Sequence, residues 1–194
     1  MEYIDLIKNI DFEALANDIH QNARKHGWHE QKHDVSHFVM MIVSELGECV
    51  NAERKGKYAE RLMFEKNFDT PQINPEGHWK FCFETFIKDT VEDELADSVI
   101  RMLDLAKDQD FNIEYSDDEF KDVMDEKDGF EELPMFTSKI FVLVLALTYN
   151  SNIRLAILLS FVLAQHLGID LLWHIEQKMK YNKMRPYKHG GKKY

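Results

Sequence analysis

Apolar residues recur at a helical period through most of this 194-residue chain, and that repeat limits what it can become. Phe12, Leu15, Ala16 and Ile19 mark a first helix that should end near His26-Gly27. Val35, Phe38, Val39, Ile42, Leu46 and Val50 mark a second, capped by Asp34 or Ser36 and stopping near Lys55-Gly56. Residues 57 to 77, with Pro71 and Pro75, read as a loop or a short helix. A third helix is expected from about Trp79 to Lys107, with Val91, Leu95, Val99, Met102 and Ala106 as its stripe. No segment alternates as a strand does. Only 8 Gly and 4 Pro punctuate the chain, against 13 Phe and 9 Met available for a core. An all-α helical bundle follows, as one domain over residues 1–194.

Charge interrupts this pattern twice. Residues 108 to 132 hold twelve acids and two bases, and are expected to form a solvated acidic insertion ending near Pro134; the stretch of about 108 to 150 is added to the bundle. Residues 178 to 194 hold seven Lys/Arg and no acid. On a chain of net charge −11, such a tail suits a small phosphate ligand better than a nucleic-acid duplex, which asks for a broad basic face.

Residues 140 to 164 are apolar enough to test as a membrane span. The run Thr148-Tyr149-Asn150-Ser151-Asn152 and Arg154 break them, leaving two buried helices, about 138 to 149 and 153 to 166. Gly168 then ends a helix and Asp170 caps the last, about 170 to 183. Met1-Glu2-Tyr3-Ile4-Asp5 shows no secretory pattern, and Cys49 and Cys82 make no disulfide framework, so a cytoplasmic location is expected.

Two short patterns carry chemistry. Glu45 and Glu48 stand three apart on the second helix, as do Glu94 and Asp97 on the third, so each pair shares a helix face beside the apolar stripe. If the two stripes pack together, four carboxylates converge at one edge of the seam. Such a cluster repels itself unless a cation neutralises it, and an all-oxygen donor set selects Mg²⁺ or Mn²⁺. Acids at this spacing are also common on solvent-facing helices, and a single pair would say little. Glu53 falls near the middle of the second helix's stripe, either as a buried acid needing a partner or where the helix frays.

Lys178, Asn182 and Arg185 repeat at i, i+4 and i+7 at the end of the last helix, a spacing suited to phosphate oxygens. The alternative is a solvated basic tail, or cations set against the helix C-terminal dipole. Five of the nine histidines lie between His20 and His37; His33 and His37 have a zinc-capable spacing but no third ligand nearby in sequence. Trp28, beside Gly27, is a candidate base-stacking or packing residue.

Ser44-Glu45-Leu46-Gly47-Glu48, Glu94-Leu95-Ala96-Asp97 with Ile100-Arg101-Met102-Leu103-Asp104-Leu105, and Lys178-x-x-Tyr181-Asn182-x-x-Arg185-Pro186 with Lys188-His189-Gly190 occur in that order. Together they resemble the MazG-like members of the all-α NTP pyrophosphatase superfamily, over roughly half the chain. The resemblance implies a Mg²⁺-dependent hydrolysis of a nucleoside triphosphate to the monophosphate and pyrophosphate, serving to cleanse the nucleotide pool. It implies Glu45, Glu48, Glu94 and Asp97 as metal ligands, Glu45 as a candidate base, and Lys178, Asn182 and Arg185 as substrate contacts. It also implies a homodimer or higher homo-oligomer. Other readings are a hydrolase of a different pyrophosphate-linked substrate and a catalytically silent nucleotide-binding regulator. The chain departs from the pattern in having Ser44 where some relatives carry an acid, and in the 45 residues between Glu48 and Glu94.

Overall fold

The computed structural model describes residues 7–68, 73–148, 152–191 and 193, with no side chains described at 124–128 and 131. Met1 to Asp5, Pro71, Tyr149 to Ser151 and Lys192 lie outside the described residues. The described residues are all-helical, in the order α1 Phe12–Lys25, α2 Val35–Arg54, α3 Arg61–Phe68, α4 Pro75–Phe86, α5 Val91–Asp108, α6 Asp117–Glu131, α7 Phe136–Thr148, α8 Ile153–His166 and α9 Leu171–Lys183. A short turn, Lys188–Gly191, follows α9.

Helix α5 is the axis of the bundle, with α1, α2, α8 and α9 packed around it. Its stripe behaves as the period predicts: Leu95, Val99 and Met102 are fully buried, as are Ile42 and Leu46 of α2 opposite them. Each such side chain contributes about 1.5–3 kcal/mol by leaving water, so the α2–α5 seam is a principal stabilising contact. A smaller core joins Phe64 of α3, Trp79 and Phe83 of α4, and Tyr181 of α9.

Helix ends follow capping chemistry. Asp34, not Ser36, caps α2, its carboxylate accepting from the His37 N–H at 2.9 Å. Gly27, just past α1, has φ +83, and a Cβ there would lie 2.3 Å from the Tyr187 ring, so both the backbone and the close approach require glycine. Helix α2 runs through Glu53, which is half-buried, so the helix does not fray there.

Two expectations are corrected. The helix foreseen over 79 to 107 is two helices, because the chain breaks at Ile87–Thr90. Asp89 is left-handed (φ 58), and Thr90 turns extended and accepts from the Asp93 N–H as the N-cap of α5. Glu94 and Asp97 therefore begin a new helix instead of continuing an old one. The acidic segment is likewise not simply solvated. Within it α6 packs on α8, and Ile113, Phe120, Val123 and Phe130 are buried while Asp117 and Asp118 face solvent. Phe120, Val123 and Phe130 stand three and seven apart, a helical spacing masked by the acids around them. No single helix among the described residues is long and apolar enough to cross a membrane; the apolar run at 140 to 164 is divided between α7 and α8.

Candidate functional site

Helix α2 carries Glu45 and Glu48 to the edge of its seam with α5, and α5 brings Glu94 to meet them. Carboxylate oxygens of these three residues lie within 4.8 Å of one another. Glu45 and Glu94 are buried and Glu48 is exposed, so the cluster has one open side. Packing of Leu46 and Cys49 against α5 sets the approach, because the same turns of α2 bear both the apolar and the acidic residues. Asp97, the fourth predicted carboxylate, lines the same cleft but stands outside this mutual set. Its Oδ2 is 3.3 Å from Lys178 Nζ.

Crowding and burial leave their mark on the acids. Burial, then repulsion from Asp97, raises Glu45 above the ordinary carboxylate range, against the opposing pull of Arg101. Glu94 is pushed up to about 8, first by burial and then by Asp93, Asp97 and Glu45, although Lys178 opposes the shift. Asp97 goes the other way: burial disfavours its charge, but Lys178 and Arg101 outweigh that and hold it low.

Sequence reasoning missed two members of this network. Arg101, seven residues beyond Glu94 and so back on the same side of α5, lies 2.6 Å from Glu45 Oε1. Asp93 is buried and accepts from Lys178 Nζ at 2.7 Å and from the Asp89 N–H at 3.0 Å. Asp93 adjoins the quoted motif and Arg101 lies within it, but the three-residue spacing singles out only Glu94 and Asp97. The run Glu92-Asp93-Glu94 in the first turn was the available signal, since carboxylates there meet the positive end of the helix dipole.

The predicted substrate contacts border the same cleft. Lys178, Asn182 and Arg185 all line it, with the four carboxylates, around a volume of about 210 Å³. Lys178 is buried and its shortest contacts are with Asp93 and Asp97. Burial alone would lower its pKa; those carboxylates and Glu94 reverse the effect and keep it charged. Asn182 is buried, and its Oδ1 has no hydrogen-bond partner among the described residues. Arg185 stands 5.7 Å from the centre of the Tyr181 ring and half-exposed to the cleft.

The basic tail is anchored as far as His189. The Lys188 N–H donates to the His26 carbonyl at 2.9 Å, and His26 Nε2 lies 3.0 Å from the Arg185 carbonyl. Tyr187 hydrogen-bonds Glu30, and the His189 ring meets Trp28 edge-on at 5.0 Å. The turn after α1 thus holds Arg185 in place. Trp28, a cleft residue, packs against this tail. His33 and His37 stack at 4.1 Å and belong to no three-donor group among the described residues.

Comparison with known proteins adds nothing to this geometry: no family model matches the chain, and no curated protein or solved structure matches it significantly.

Proposed function

We propose that this chain is a Mg²⁺-dependent nucleoside-triphosphate pyrophosphohydrolase of the MazG-like kind, with Mn²⁺ able to replace Mg²⁺. The observation that carries the reading is one cleft lined by both sets: Glu45, Glu48 and Glu94 converge there, and Lys178, Asn182 and Arg185 line the same volume. A triphosphate needs both a cation donor set and direct cationic contacts.

The residues present fit the metal. Their donors are all oxygen, and Glu94 is raised to about 8 first by burial and then by its crowding with Asp93, Asp97 and Glu45. Glu45, Glu48, Glu94 and Asp97 would hold the ions, which supply charge neutralisation and acidify water. Glu45 is suited to accept the proton of the attacking water: burial raises its basicity, while Arg101 at 2.6 Å orients it. Water then bonds to the α-phosphorus, the bond to the bridging oxygen breaks, and pyrophosphate leaves. Arg185 and Asn182 would bind the phosphate chain as charge moves onto the leaving group, with Lys178 setting the field between Asp93 and Asp97. Nucleotide-pool cleansing in the cytoplasm, as a homo-oligomer, completes the proposal; the exposed side chains of Phe141 and Leu145 on α7 suit self-association.

The test is a screen of nucleoside triphosphates for pyrophosphate release with Mg²⁺ present. Pyrophosphate, not orthophosphate, is expected from at least one of them, with EDTA abolishing activity. Glu45→Gln, Glu94→Gln and Asp97→Asn should each lower kcat by orders of magnitude with helicity intact. Activity that survives EDTA, or full activity in these variants, would remove the carboxylate cluster from the reaction.

A further inference from the structure

Beyond the carboxylate cluster, the far half of α5 meets α1 and the turn that follows it. There Asp104 receives two imidazoles. His20 Nδ1 of α1 is 2.8 Å from Asp104 Oδ1, and His29 Nε2 is 3.0 Å from both Asp104 oxygens. The two rings lie 4.5 Å apart, and all three side chains are largely buried, none more than 16% exposed. The other nitrogen of His29, Nδ1, is 3.1 Å from Asp108 Oδ1.

We propose that His20, His29 and Asp104 form a binding site for a divalent transition-metal ion, Zn²⁺ or Co²⁺, separate from the carboxylate cluster. Donor atoms from three segments of chain lie within 4.8 Å of one another. Two nitrogens and one oxygen favour a borderline ion over Mg²⁺, which prefers oxygen alone. Bonds of about 2.0–2.2 Å in tetrahedral geometry set neighbouring donors about 3.3 Å apart. The present 2.8 and 3.0 Å separations therefore need to open by only a few tenths of an ångström. Asp108 supplies the companion such a site requires, a carboxylate that takes the second N–H of a ligating histidine and fixes its tautomer. Without an ion, both nitrogens of His29 face carboxylates. Burial opposes charge on the ring, but Asp104 and Asp108 overcome it and raise the His29 pKa. An ion on Nε2 displaces any proton there to solvent, while Nδ1–H stays with Asp108. Three protein ligands leave a position open, and Asp104 borders the cleft.

Co²⁺ titration of the metal-free full-length protein, followed by visible absorption, tests the site with excess Mg²⁺ occupying the carboxylates. A single Co²⁺ per chain is expected, displaced by Zn²⁺. His20→Ala, His29→Gln and Asp104→Asn should each weaken it at least tenfold, and Asp108→Asn about tenfold, with unchanged circular dichroism establishing that each variant is folded. Glu45→Gln, Glu94→Gln and the His33→Ala/His37→Ala pair should leave it unchanged. No uptake under Mg²⁺, or uptake indifferent to His20→Ala and His29→Gln, overturns the proposal. Loss in Glu94→Gln or in the His33/His37 pair instead assigns the ion elsewhere and overturns it equally. Because the readout is metal binding and not turnover, it is independent of whether the chain hydrolyses nucleotides.

Discussion

Lys178 of α9 donates to Asp93 of α5 at 2.7 Å across 85 positions of sequence, and both side chains are buried. One bond therefore ties the basic C-terminal helix to the acidic start of the central one. It also places a cation behind the carboxylates, where it favours the charged form of Asp97 and opposes the upward shift of Glu94.

Removing that cation should destabilise the fold. Lys178→Met leaves Asp93 buried with the Asp89 N–H but no cation against it, an uncompensated charge that typically costs about 3–5 kcal/mol. Urea denaturation at neutral pH measures it, and adding Asp93→Asn should recover much of the loss. A loss below about 1 kcal/mol would mean that the pair is screened as a surface bridge is.

Arg185 should act on turnover with little effect on folding. It is half-exposed in the cleft, so Arg185→Ala removes one charge-assisted contact, worth about 1.5–3 kcal/mol or a tenfold to hundredfold fall in kcat/KM. Exposed Lys183, on the same tail outside the cleft, is the control. Equal, small effects of Arg185→Ala and Lys183→Ala in steady-state kinetics would leave the tail as an anchor alone.

His174 gives the fold a pH dependence. Burial, with Arg61 nearby, lowers its pKa to about 4, and its Nδ1 has no hydrogen-bond partner among the described residues. The unfolded chain binds a proton at this residue below about pH 6.5 and the folded chain does not until about pH 4. Stability is therefore complete above about 6.5 and falls with pH across that window, by up to about 3 kcal/mol. Denaturant melts of the protein and of His174→Gln, compared between these limits, should diverge toward acid by that amount. Parallel curves would show that the imidazole protonates freely in the folded state.

The acidic segment should prove structural. Phe120 of α6 is buried, so Phe120→Ala is expected to cost about 3 kcal/mol, while Asp118→Ala, at an exposed position, stays within about 0.5 kcal/mol. Thermal unfolding distinguishes them, and equal effects would return the segment to the status of a solvated insertion.

Helices α1, α2, α7, α8 and α9 and most of their ends were legible in the sequence because they depend on local rules. An apolar side chain every third or fourth residue, Asp34 and Asp170 as caps, and Gly27 and Gly168 as stops act within a turn or two of chain. The pairing of Glu45 with Glu48 was legible for the same reason. The break before α5 was written locally too, in Thr90 and Asp93, but the long apolar run across it masked the cap.

Tertiary packing decided what each polar group met. Periodicity names the face that seeks a core, and it is silent about the polar flank that a third helix covers. That is why Asp93 and Arg101 entered the network unforeseen, and why Asp97 lies beside Lys178 instead of within the three-carboxylate set. His20, His29 and Asp104 come from segments with no common spacing, so only the packing of α1 against α5 could bring them together. Spacing along a helix is a property of the chain; the distance between two helices is set by the side chains that fill the space between them.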